Sequence, residues 1–173
     1  MPVTTRLIGF DPGLRRTGWG VIDVTGQHLR YVADGVVVTD ESLSLAERLF
    51  QLSTGLDATL AEWNPDEAAV EETFVNKNPS STLKLGMARG VVLLAPARRR
   101  LPVAEYAPNL VKKSIVGSGH ADKAQVQLMV RRLLPGALAT KADAADALAV
   151  AICHAHHWSS AAALTKVAVG IGR

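Results

Sequence analysis

A chain of 173 residues, 48% hydrophobic and 20% charged, is one domain's worth of sequence with ample core-forming side chains, which excludes a disordered protein. A net charge of +3 permits a polyanionic partner without requiring one, and a single cysteine excludes a disulfide framework and a cysteine-based zinc site. The opening MPVTTRLIGFDPG lacks the pattern of a signal peptide, and no apolar run nears the roughly 20 residues that span a bilayer, so a cytoplasmic protein without membrane contact is expected. Residues 5–10 are a short apolar run halted by Asp11-Pro12-Gly13, which predicts a strand ending in a turn. Residues 18–24 and 30–38 are two further β-rich runs joined by Thr25-Gly26-Gln27, so an antiparallel meander of three strands opens the domain. Leu45, Leu49, Leu52, Leu56 and Leu60 then recur at helical spacing across 44–63, with Ser42 or Ser44 as cap and Asn64-Pro65 as stop.

Strand character returns over 67–74. Residues 80–94 follow as a helix with serine caps, 102–106 as a strand, and 108–116 as a short helix. Asp122 caps a helix running to Leu134, stopped by Pro135-Gly136, and 142–159 form a final alanine-rich helix. The stretch 160–173 shows no period and is left unassigned, as a tail of about 158–173 within a single domain spanning 1–173. Three strands followed by alternating helices and strands predict an α/β architecture, a mixed sheet with helices packed on it.

Four carboxylates stand out by position. Asp11 lies where the first strand ends, and Glu71 directly follows the apolar Ala68-Ala69-Val70. An unpaired carboxylate buried in such a strand costs several kcal/mol, so Glu71 needs a partner. Asp143 and Asp146, three apart in the first turn of the last helix, share a face with Ala149, Val150 and Cys153. Singly, Asp11 reads as a turn residue, and Asp143 and Asp146 as complements to a helix dipole. Converging on one sheet edge, four like charges require protons or cations between them. All-oxygen ligation selects magnesium or manganese, and two such ions serve in-line displacement at phosphorus.

Gly9-Phe10-Asp11-Pro12-Gly13 with Thr17-Gly18-Trp19-Gly20 resembles the opening motif of the RuvC family, the bacterial Holliday junction resolvases. Val70-Glu71-Glu72-Thr73-Phe74, followed by Leu83-Lys84-Leu85-Gly86 and Ala88-Arg89-Gly90, is similar to the second motif. Tyr106-Ala107-Pro108, Val111-Lys112 and Val116-Gly117 resemble the third segment, and Asp122-Lys123-Ala124-Gln125-Val126 and the run 143–149 (DAADALA) the last two. The blocks fall in family order and reach to about His157.

The resemblance implies an RNase H-like fold with helices on both faces of the sheet. It also implies a homodimer, metal-dependent symmetric nicking of four-way junction DNA that leaves 5′-phosphate and 3′-hydroxyl ends, and a RuvA–RuvB branch-migration complex as partner. Carried over by position, Asp11, Glu71, Asp143 and Asp146 are the catalytic acids and ligands of two Mg2+ or Mn2+ ions. Some family members have histidine where this chain has Asp143. Lys112 and Lys123 match family lysines that contact DNA near the scissile bond, and Phe74 matches an aromatic placed against junction bases. Lys113, Arg131 and Arg132 extend the basic field, whereas Arg98-Arg99-Arg100 reads as a solvated charge run.

Gly86 and Gly90 sit four apart in a predicted helix beside Leu83 and Met87, each costing about 1 kcal/mol relative to alanine there. Close approach of another backbone offsets that cost, either the sheet of the same chain or, as the resemblance implies, a second protomer. His154 and His157 share a helix face but lack the further ligands of a zinc site. Two other functions compete with junction resolution. An Asp-x-Gly after a strand also opens the phosphate hairpin of actin-like and sugar-kinase ATPases, which need a second domain. A protein that only holds junctions would not need four converging acids.

Overall fold

The computed structural model describes residues 3–72, 77–137 and 141–170, with side chains through His157. Five strands, β1 (Thr4–Asp11), β2 (Arg16–Thr25), β3 (His28–Val38), β4 (Glu67–Glu71) and β5 (Val103–Tyr106), form one sheet in the order β3-β2-β1-β4-β5. β1, β2 and β3 are the antiparallel meander, and β4 and β5 add parallel to β1. This is the mixed sheet and RNase H-like arrangement expected from the sequence.

Two cores flank the sheet because strand residues alternate faces. On one side Ile8, Phe10, Val21 and Val70 meet Leu52, Leu56 and Leu60 of α1 (Leu45–Trp63) and Ala88, Val92 and Ala95 of α2 (Pro79–Arg98). On the other, Leu7, Ile22, Val24 and Ala69 meet α3 (Pro108–Val116), α4 (Lys123–Leu133) and α5 (Ala142–Gly170). The leucine stripe of α1 is buried as its spacing dictates. Ser44 caps it in a reciprocal box with Glu47, and Asn64 ends it in the left-handed region.

Several boundaries differ from the sequence reading. Asn78, not a serine, caps α2, because its carboxamide oxygen accepts from the amides of both Ser80 and Ser81. α2 also runs past Leu94 through Pro96 to Arg98, since burying Ala95 and Pro96 offsets the amide that proline lacks. α5 continues to Gly170 through the stretch that shows no period, where residues 160–169 hold no glycine or proline to stop a helix. Strand β4 ends at Glu71, and Phe74, expected against junction bases, lies outside the described residues. Among the described residues no helix is long and apolar enough to cross a membrane.

The outer face of α2 decides between the two readings of its glycines. Among the described residues, a Cβ built on Gly86 or Gly90 meets nothing within 4 Å, so neither makes a close contact with the sheet of its own chain. Leu83, Met87 and Leu94 are exposed beside them at 63%, 40% and 54%. The intramolecular helix–sheet explanation is therefore ruled out.

Candidate active site

Asp11 and Glu71 end neighbouring parallel strands. Phe10 is the register partner of Val70, so the next residue on each strand places the two acids side by side. Strand alternation puts Asp11 on the face of Leu7 and Gly9, and Glu71 on the face of Ala69, which is the face α5 covers.

Three glycines let α5 lie close against that face. A Cβ on Gly9 would stand 2.2 Å from the Ala147 carbonyl oxygen, and one on Gly20 would stand 2.6 Å from the Leu148 side chain. One on Gly18, the β2 partner of Asp11, would stand 2.0 Å from the Asp143 carbonyl oxygen. With no side chain in the way, the first turn of α5 comes down over the sheet edge and carries Asp143 and Asp146 to the strand-end acids.

The electrostatics record that crowding. Burial first, then repulsion from Asp146, raises the Asp11 carboxyl to about 6, with Asp143 adding to the push. Burial and the neighbouring Asp11 raise Glu71 to about 8, and its protonated carboxyl donates a hydrogen bond to the Asp11 carboxylate. The pair thus shares a proton at neutral pH. The other two acids are matched by cations. Lys123 Nζ stands 2.8 Å from Asp146 Oδ2, and that hydrogen bond holds the ammonium above its usual range. Arg16 Nε donates to Asp143 Oδ2 at 2.6 Å.

Glu71, Asp146, Lys112 and Lys123 line a cavity of about 260 Å³, walled by Val111 and Val126. α3 delivers Lys112, whose charge acts on Glu71, and the N-terminus of α4, capped by Asp122, delivers Lys123. The other basic residues stand apart. Lys113 is exposed beyond this cavity lining, and Arg131 and Arg132 occupy the last turn of α4, about 12 Å along the axis from Lys123. Sequence reasoning misses Arg16, which is one of two adjacent arginines where β2 begins. Only the packing of α5 on β2 reveals its partner.

A divalent cation fits the chemistry of this donor set, which is all oxygen and gathers four carboxyl groups. Among the described residues, however, no three His, Cys, Asp or Glu side chains already surround a common point. Arg16 and Lys123 occupy Asp143 and Asp146, and a proton occupies the Asp11–Glu71 pair. The histidines of α5 are engaged elsewhere, His154 with Tyr106 and Glu67, His156 with Ser114, and His157 with the Cys153 carbonyl.

Residues 7–154 match the family described as Crossover junction endodeoxyribonuclease RuvC. A relative of that name from Paramagnetospirillum magneticum is 67% identical over 152 residues, covering 88% of this chain and 92% of the relative. Another from Rhodospirillum rubrum is 62% identical over 168 residues, covering 97% and 99%. The structure of T. thermophilus RuvC in complex with a Holliday junction substrate superposes with a TM-score of 0.82 at 34% identity, over 91% of this chain and 96% of that one. Sequence and fold agree over nearly the whole length, and the chain belongs to the RuvC family of crossover junction endodeoxyribonucleases.

Proposed function

We propose that the protein nicks two strands of a four-way DNA junction at the carboxylate cluster of Asp11, Glu71, Asp143 and Asp146. The observation that carries this reading is the buried Asp11–Glu71 pair beside Asp146, with two lysines lining the same cavity. A protein that only held junctions would gain nothing from acids that repel a phosphate backbone. An ATPase of the actin-like class would need a second domain.

The RuvC family is metal-dependent, and two Mg2+ or Mn2+ ions bound here would acidify an attacking water and offset charge on the departing 3′ oxygen. Asp11, Glu71 and the Asp143/Asp146 pair would hold those ions. Lys112 and Lys123 offset negative charge on the phosphate during displacement. Filling the cluster would require Arg16 and Lys123 to release their aspartates, which would leave both cations available to the DNA backbone. The test is cleavage of a synthetic four-way junction with and without Mg2+. Cutting without any divalent ion, or none with it, sinks the proposal.

The raised carboxyls make a pH prediction with a definite sign. The folded pair binds protons more tightly than the unfolded chain, so its contribution favours the fold below about pH 4 and is lost as pH climbs through about 6 and 8. A divalent ion replaces those protons, so its stabilising effect grows over the same window. At a hundredfold excess over the dissociation constant it reaches about 2.7 kcal/mol per site. Melting curves with and without Mn2+ at pH 5.5 and 8.5 check this. An Mn2+ shift no larger at the higher pH contradicts it.

Symmetric nicking needs two sites, and the exposed α2 stripe of Leu83, Gly86, Met87, Gly90 and Leu94 fits a two-fold contact with a second copy. Gly90→Leu is a clean test because a Cβ added there meets nothing within 4 Å among the described residues. The monomer keeps its fold and gains up to about 1 kcal/mol of helix propensity, while the dimer weakens severalfold or more. Sedimentation showing unaltered dimer affinity removes α2 from the interface. The family resemblance extends the proposal to a RuvA–RuvB branch-migration complex as partner.

A further inference from the structure

A chain of three polar side chains, one buried and two half-buried, lies outside the cluster. His154 on α5 is 6% exposed, and its Nε2 stands 3.0 Å from Glu67 Oε2. Its Nδ1 stands 2.8 Å from the Tyr106 hydroxyl. A neutral imidazole satisfies both contacts: Nε2–H donates to the Glu67 carboxylate, and Nδ1 accepts from the Tyr106 hydroxyl. The Tyr106 ring also packs on His154 and His157, with centroids 5.7 and 5.2 Å apart.

Each member belongs to an element that carries part of the site. Glu67 opens β4, four residues before Glu71 and on the same face. Tyr106 ends β5 as the register partner of Glu71, and the next residue caps α3, which carries Lys112. His154 lies eight residues beyond Asp146 on α5, about 12 Å along the axis. The seat of α5 on β1 is close but smooth, since Ala147 and Ala151 rest on Gly9. Such a contact fixes separation better than position along the helix axis. Directional hydrogen bonds to two strands supply that position, whereas apolar side chains of the same size would fill the space without defining it.

We propose that Glu67, His154 and Tyr106 are positioning residues that set where α5 lies along the sheet, and so hold Asp143 and Asp146 at their working distance from Glu71. The consequence for cleavage rests on the carboxylate-cluster reading above; the consequence for α5 does not. Tyr106→Phe keeps the ring and its stacking but removes the hydroxyl. Hydrogen exchange of the amides of 143–150, read without metal or junction, should quicken about tenfold while α1 stays unchanged. Single-turnover cleavage should fall about tenfold with junction affinity within about twofold of the parent. Glu67→Gln retains an acceptor for the imidazole N–H and should stay near the parent rate, whereas Glu67→Leu should behave like Tyr106→Phe. Parent-like exchange and cutting in Tyr106→Phe overturns the proposal, as does protection lost evenly across all elements. If the parent protein cuts no junction, the carboxylate reading fails, and the exchange measurement alone judges the network.

Discussion

Asp146→Asn should lose junction cleavage by about a hundredfold or more while still binding the junction. Asparagine preserves the size and one acceptor oxygen at the start of α5, so the fold has no reason to change. What goes is one negative charge that Asp11 and Glu71 both feel, and the partner of Lys123 at 2.8 Å. The strand-end carboxyls then become more acidic and Lys123 is freed. Affinity for the junction rests on cations meeting phosphates, so it survives or rises as repulsion falls. On the proposed reading, chemistry depends on four carboxylates held in one arrangement, so it should not survive. Lys123→Ala is the contrast: it should weaken binding and cutting together, with the binding loss shrinking as salt is raised. A gel shift without metal and a single-turnover cleavage assay measure all of this. Near-parent cutting by Asp146→Asn would leave Asp146 as an ordinary acid at a helix start.

Gly18→Ala should damage the site from a distance. Its new methyl would stand 2.0 Å from the Asp143 carbonyl oxygen and 2.6 Å from the carbonyl carbon. These are backbone atoms, so no rotamer change relieves the clash, and the first turn of α5 must lift off the sheet. Overpacking of this kind costs about 1–3 kcal/mol. The larger effect is on cleavage, because Asp143 and Asp146 ride on the turn that moves, and a shift of about 1 Å can cost about a hundredfold. The variant should keep its secondary structure by circular dichroism, melt earlier and cut poorly. Parent-like melting and cleavage would show that α5 does not need the glycine seat.

Much of the site is legible in the amino-acid sequence because its signals are local. Asp11 and Glu71 each follow an apolar strand, and Asp143 and Asp146 share a helix turn by spacing alone. The leucine stripe of α1, its Ser44–Glu47 box and the Asp122 cap are likewise written within a few residues of themselves. Period and capping are properties of neighbours in the chain, so the sequence by itself determined the elements, their order and which acids were candidates.

Contacts between distant residues were settled only by tertiary structure. The outward face of Gly86 and Gly90 depends on which side of α2 meets the sheet, and the helix is apolar on more than one side. Gly9, Gly18 and Gly20 read as strand residues of poor propensity until α5 is laid on them. Arg16 finds Asp143 across 127 positions, and His154 finds Glu67 across 87. Such pairs leave no periodic trace. They follow from strand register and from how closely a helix can approach a sheet, and neither is decided until the whole chain has packed.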